Sequence, residues 1–207
     1  MRPEEIEALS FRIIDDEAGE HGFAPREWEV VRRMIHTSAD FDYQRSVRIH
    51  PAAIDAGVAA IREGGHVVTD TRMALSGIRR RDLAGSGGEV HCLIDAPEVA
   101  AAARRDGTTR ARAAVDAALE AMAGGLFVVG NAPTALLRLL ELIDEGRAAP
   151  ALVVGLPVGF VNAAESKAAL EERDIPHITN RGRKGGSNVA ASVVNALILL
   201  CRRHSDE

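Results

Sequence analysis

The chain has 207 residues, enough for one large domain spanning 1–207, and 46% of them are hydrophobic, an ordinary share for a protein with a sizeable buried core. Its formal net charge of −5 argues against nonspecific nucleic-acid binding, which needs a positive face to displace counterions. No run of about 18 apolar residues occurs, and the opening MRPEEIEALSFRIIDDE is acidic where a signal peptide would be basic and then apolar, so a soluble cytoplasmic protein with no membrane partner is expected.

In chain order, helical patterns come first, at about 3–17, 25–37 and 51–63; in the second, Trp28, Val31 and Ile35 share one face. From about residue 66 short β-like runs alternate with helical ones. HVVTD (66–70), VHCLID (90–95), LFVVGN (126–131), ALVVGLP (151–157) and HIT (177–179) are apolar and bounded by turn residues, as strands covered on both faces are. Helices are predicted at 108–125, 132–146, 162–174 and 187–203, several of them starting after Thr, Asn or Ser and stopping at Gly or Asp. The alternation predicts an α/β fold: a three-layer sandwich with a mostly parallel sheet of about five strands, helices on both faces and extra N-terminal helices.

Ligands of such sheets bind beyond the carboxyl ends of the strands. The segments there are TDTRM (69–73), GNAPTA (130–135), GLPVGFVNAAESK (155–167) and TNRGRKGGSN (179–188), with Gly, Asn, Thr and Arg where backbone can approach a ligand and a helix N-terminus can face an anion. RGRKGGS is not a phosphate loop, because that motif places lysine directly before the hydroxyl residue and here Lys184 precedes Gly185 and Gly186. No GxGxxG follows a strand, which argues against a dinucleotide enzyme. Anion binding in general remains open, and carboxylates satisfy it as well as phosphates.

Seven histidines include no HExxH and no pair at ligand spacing beside a carboxylate, so no metal site is expected. Cys92 and Cys201 lie far apart without CxxC spacing and are expected to be reduced structural residues. Of the 25 basic residues only Lys167 and Lys184 are lysines, which leaves 23 arginines, each a planar fork suited to carboxylates. His36 has two of them close by: on a continuous helix Arg33 is three residues away and Arg32 four. Two cations disfavour protonation of an imidazole until an anion neutralises them. The spacing alone leaves His36 open as a packing residue or a proton carrier.

Taken together, ALSFRIID (8–15), VRRMIHTSAD (31–40), TDTRMALSGI (69–78), TTRARAAV (108–115), GNAPTALLRLLELI (130–143), VGLPVGFVNAAESKAAL (154–170) and NRGRKGGSNVAASVVNAL (180–197) closely resemble the precorrin-8X methylmutase family over roughly 4–203. The resemblance implies an isomerase of cobalamin biosynthesis. It moves a methyl group of the corrin precursor from carbon eleven to carbon twelve, giving hydrogenobyrinic acid, or cobyrinic acid from the cobalt-containing substrate. It further implies no cofactor, a carboxylate-rich tetrapyrrole as ligand and a homodimer. The histidine of MIHT, here His36, is implied as proton donor and acceptor, with Ser10, Arg33, Thr69, Asp70 and Arg110 as candidates for substrate contact. Segment 79–95, RRRDLAGSGGEVHCLID, reads as a loop and fits the family pattern loosely. A corrinoid carrier without catalysis, or an unrelated nucleotide-binding α/β domain, are the competing readings; an intact MIHT favours the enzyme.

Overall fold

The computed structural model describes residues 2–203. The N-terminal part contributes α1 (Pro3–Ala18), α2 (Pro25–Ser38), α3 (Asp42–Ser46), a three-residue strand β1 (Val47–Ile49) and α4 (Ala53–Arg62). Next come β2 (Val67–Thr69), α5 (Arg72–Gly77), α6 (Arg80–Ala84), β3 (Val90–His91), α7 (Pro97–Arg105), α8 (Arg110–Ala117) and α9 (Leu119–Met122). The remainder alternates strictly: β4 (Leu126–Val129), α10 (Pro133–Asp144), β5 (Leu152–Gly155), α11 (Ala163–Glu171), β6 (His177–Asn180) and α12 (Ser187–Arg203).

The sheet has six strands in the order β1-β6-β5-β4-β2-β3. Five are parallel, as the apolar runs predict, and the sixth, β1, pairs antiparallel with β6, Arg48 opposite Thr179. β1 escapes a sequence reading because three residues with a central arginine carry no periodicity. Segment 79–95 is not wholly loop: it holds α6 and β3. The expected helix at 108–125 is two, interrupted at Ala118, whose backbone departs from helical geometry (φ −98°, ψ 4°).

Side chains alternate across the strands into two cores. Val67, Leu126, Val128, Leu152, Val154 and Ile178 pack with α1, α2, α4 and α12, whereas Val68, Phe127, Val129 and Val153 pack with α8 to α11. This is the three-layer arrangement. α2 buries Trp28, Val30, Val31, Met34 and Ile35, the face that the sequence periodicity picks out, and runs along α12, the most deeply buried helix. No helix of the described residues is long and apolar enough to cross a membrane.

The chain leaves β2 for the β3 edge and returns to β4 on the other side, so strand order reverses between β2 and β4. At that point a doubly wound sheet opens a crevice at its carboxyl edge. Gly130, directly after β4, lets the start of α12 come close: a Cβ there would stand 2.6 Å from Ser187 Cα. Gly130→Ala is therefore expected to lower the unfolding free energy by about 1–3 kcal/mol through overpacking. The measurement is the urea midpoint at unchanged slope; an unshifted midpoint would show that the α12 start yields freely.

Candidate active site

The crevice between β2 and β4 opens into a cavity of about 500 Å³ lined by Thr71 and Met73, Gly130 and Asn131, Val158, and the start of α12 from Gly185 to Asn188. A second cavity, of about 390 Å³, shares Val158, Gly185 and Asn188 with it and runs on to Thr37 and Ser38 at the end of α2. The two form one cleft. Its walls are the four post-strand segments singled out in the sequence, plus the α2 terminus, and the N-terminus of the 17-residue α12 faces it. Around its lip large apolar side chains stand in solvent: Met73 is 70% exposed, Phe160 85% and Val161 77%.

Asp70 spans the reversal of strand order. It is 5% exposed, and its two carboxylate oxygens accept the N–H groups of Gly130 (2.9 Å), Asn131 (2.9 Å) and Ala132 (2.7 Å). Burial pushes its carboxyl above the usual range, against the pull of those N–H donors toward the charged form. Thr69 is likewise buried, and its hydroxyl lies 3.0 Å from the Thr71 carbonyl and 3.2 Å from that of His91. Neither side chain faces open cleft; what they hold in place, Thr71 and the 130–132 turn, does. Thr71 in turn caps α5, accepting the Ala74 N–H at 3.1 Å, and its hydroxyl meets that of Ser187 at 2.8 Å.

The opposite wall is the 181–186 loop, pinned from several sides. Lys167 lies beneath it, 1% exposed, donating from Nζ to Asn180 Oδ1 (3.1 Å) and the Lys184 carbonyl (2.6 Å). Among the described residues no carboxylate pairs with it, and burial lowers the Lys167 ammonium to about 8. Above it the Lys184 side chain binds Asp40 (2.5 Å) and Asp42 (2.6 Å), which raises the lysine and lowers the Asp40 carboxyl. Backbone bonds from Gly159 to the Arg183 carbonyl and from Gly186 to the Leu156 carbonyl tie the loop to the segment after β5. At Gly185 a Cβ would stand 2.3 Å from the Leu156 carbonyl oxygen, so only glycine allows that approach.

At the other end of the cleft α1 crosses α2 around Phe11. The His36 ring meets it edge-on at 5.0 Å, and the Arg32 and Arg33 guanidinium carbons lie 4.4 and 5.0 Å from its centroid. His36 itself is exposed on the last turn of α2, one residue before cleft-lining Thr37. Its arginine neighbours are not open cations, contrary to the expectation from spacing: Arg32 pairs with Asp15 (2.8 Å) and Glu29 (2.9 Å), and Arg33 with Glu7 (3.1 Å). Ser10, also half-buried on α1, gives its hydroxyl proton to the Ile6 carbonyl. Arg110 is the first residue of α8 and exposed, with no carboxylate partner among the described residues. The helix cap beside it, Thr109, meets Thr134 at 3.1 Å, which sets the start of α8 against the start of α10 just past β4. Arg112 fastens α8 to α10 through Glu141 and Arg138 fastens α10 to α8 through Asp116; the two arginines together hold the Glu141 carboxyl down to about 2.

The candidate residues thus gather in two places, Ser10, Arg33 and His36 around Phe11, and Thr69, Asp70 and Arg110 near the strand reversal, with the cleft between them. Among the described residues no group of three His, Cys, Asp or Glu side chains could hold a metal ion. A family model described as precorrin-8X methylmutase matches residues 5–200. The chain belongs to the precorrin-8X methylmutase family. This methylmutase is 47% identical to the cobalt-precorrin-8 methylmutase of Priestia megaterium, over 97% of this chain and 89% of that one. It is 48% identical to the cobalt-precorrin-8 methylmutase of Salmonella typhimurium, over 96% and 95%. A crystal structure of precorrin-8x methyl mutase from Thermus thermophilus superposes with a TM-score of 0.91 at 49% identity, covering 97% of both chains.

Sequence reasoning picked the methylmutase's cleft-lining segments but missed Lys167, although a signal was present. Ala163, Ser166, Lys167 and Leu170 are the buried residues of α11, at helical spacing i, i+3, i+4, i+7, so periodicity alone puts the lysine inward. Its lowered value carries a sign. Between about pH 8 and about 10.4, where a free lysine titrates, the unfolded chain holds a proton that the folded chain lacks, so stability should rise with pH. Lys167→Met should flatten that rise; equal slopes for both proteins in urea unfolding at pH 7.5, 8.5 and 9.5 would show that the buried amine does not titrate there.

Proposed function

We propose that this methylmutase binds a carboxylate-rich corrin precursor across the cleft and that His36 moves the proton that accompanies migration of the ring methyl group from carbon eleven to carbon twelve. As a member of this family the chain is an isomerase of cobalamin biosynthesis. The observation that carries the proton role is the state of His36: exposed, on the lip of the cleft, its ring touching Phe11 and bonded to no group among the described residues. A packing histidine would be buried and partnered. This one has both nitrogens available to a ligand, on a helix whose inner face is locked into the core.

The rearrangement redistributes bonds within one molecule, so the protein's work is to hold the ring and to deliver and recover a proton. Arg110 at the far end of the cleft has its fork available for a peripheral carboxylate. Arg33, already paired with Glu7, would exchange or share that partner on binding. Thr69, Asp70 and Ser10 act in this reading through the backbone they hold: Asp70 aims the 130–132 turn, Thr69 the Thr71 segment, and Ser10 steadies the α1 turn next to Phe11. His36→Asn should fold and bind the corrinoid yet lose turnover by at least ~10²-fold, the low end for removal of a general acid. Near-normal turnover of the variant would return His36 to a packing role.

The same reading makes the enzyme a cytoplasmic homodimer. Ile6, Leu9 and Ile13 stand exposed at i, i+3 and i+7 of α1, beside the His36 corner, and an apolar stripe of this kind is what a second copy covers. Light scattering at micromolar protein should give twice 22.1 kDa, and Leu9→Glu should split the species. A wild-type mass of about 22 kDa would refute the dimer.

A further inference from the structure

Past Lys184, which lines the walls of both, a groove of about 390 Å³ lies on the far side of the 181–186 loop from the cleft. Five cations surround it: Arg45, Arg48, Arg181, Arg183 and Lys184, on a chain whose net charge is −5. Three of them are answered from within the fold. Arg48 (3.5 Å) and Arg181 (2.6 Å) share Glu171, and Lys184 is held by Asp40 and Asp42. The guanidinium groups of Arg45 and Arg183 have no carboxylate partner among the described residues, and both side chains are exposed. Arg183 is also ordered in an unusual way. Its guanidinium carbon lies 5.5 Å from the centroid of the Phe160 ring, and Phe160 and Val161 carry on the exposed apolar lip of the cleft from Val158.

A lip that is apolar on one side and presents unpaired guanidinium forks on the other suits a ligand of matching character: a flat apolar ring edged with carboxylates. A guanidinium placed over an aromatic face is attracted to it without being neutralised, so the fork stays free to take a carboxylate by two parallel bonds. We propose that Arg45 and Arg183 form a carboxylate subsite, joined to the cleft past Lys184, that receives side arms of the macrocycle while the Val158–Phe160–Val161 lip lies against the ring. This rests on the ring occupying the cleft as described above. It adds a reason for the enzyme to prefer a ring with free acid arms to one whose arms have been converted to amides, since an amide is neutral and offers half the acceptors of a carboxylate.

The test is a visible-absorbance titration of the full-length wild type, Arg45→Gln, Arg183→Gln and the double variant with two probes. One is cobyrinic acid, whose arms are carboxylates; the other is cobinamide, whose arms are amides. Both arginines are exposed and outside any ion pair, so the variants are expected to fold as the wild type does. Each single variant should bind cobyrinic acid about tenfold more weakly, as loss of a charge-assisted bond implies, with cobinamide binding unchanged. A third arm adds inorganic phosphate, which should displace cobyrinic acid from the wild type only at far higher concentration than the corrinoid itself. Wild-type affinity for cobyrinic acid in the double variant would overturn the subsite, as would phosphate binding there as tightly as the corrinoid. His36→Asn, titrated in parallel, separates the two claims. If it binds cobyrinic acid normally but, given the methylmutase substrate in a separate assay, does not convert it, the catalytic reading stands whatever the arginine variants do. If the wild type binds neither corrinoid, that reading and the subsite fall together.

Discussion

One buried carboxylate organises the ligand-facing edge of this sheet. Where strand order reverses, the segments after β2 and β4 diverge, and nothing in the ladder of strand hydrogen bonds holds them at a fixed separation. Asp70 does so by accepting three successive N–H groups of the 130–132 turn. Those groups lie ahead of the first turn of α10, where helical N–H groups lack partners of their own, and a negative charge is favoured there. The position of Gly130 against Ser187, and with it the start of α12, follows from that anchor. The cleft is therefore shaped from its floor, before any side chain at its lip is considered.

The opposite wall obeys a different rule. Burying an ammonium without a carboxylate costs several kcal/mol in general, and it persists only where hydrogen bonds replace the lost water. Lys167 meets this with a side-chain oxygen and a main-chain carbonyl, both belonging to the stretch it supports. The loop above is thus tied at its centre as well as at its ends, and its outer surface is free to carry charge. Core and rim are in this way separated: single ionisable groups held by backbone and amide partners on the inside, and arginines with differing degrees of satisfaction on the outside.

Much of this was legible in the residues, and the remainder was not for identifiable reasons. Apolar runs such as LFVV and LVVG mark strands because both sheet faces are covered, and Gly- and Asn-rich segments mark the carboxyl edge because backbone must approach closely there. β1 was invisible because its pairing with β6 joins residues more than 120 positions apart through three residues of mixed character. His36 stands out by its motif, yet the neutralising partners of its arginines, Glu7 and Asp15, come from another helix, and local spacing could not show them. Thr69 and Asp70 look like ligand contacts in a sequence, since the residue types that bind ligands are also those that satisfy orphaned backbone. In the fold both are buried and hydrogen-bonded to the backbone of neighbouring segments.

The distribution of amines has a practical consequence. The chain has two lysines, and both belong to the same small assembly, Lys167 sealed beneath the 181–186 loop and Lys184 on its surface at the junction of cleft and groove. Reagents directed at primary amines, among them the esters used to attach dyes, biotin or a sensor surface, find one accessible side chain among the described residues, and it stands at the wall of the cleft. Immobilising or labelling the protein through lysine therefore places the modification at the wall of the cleft.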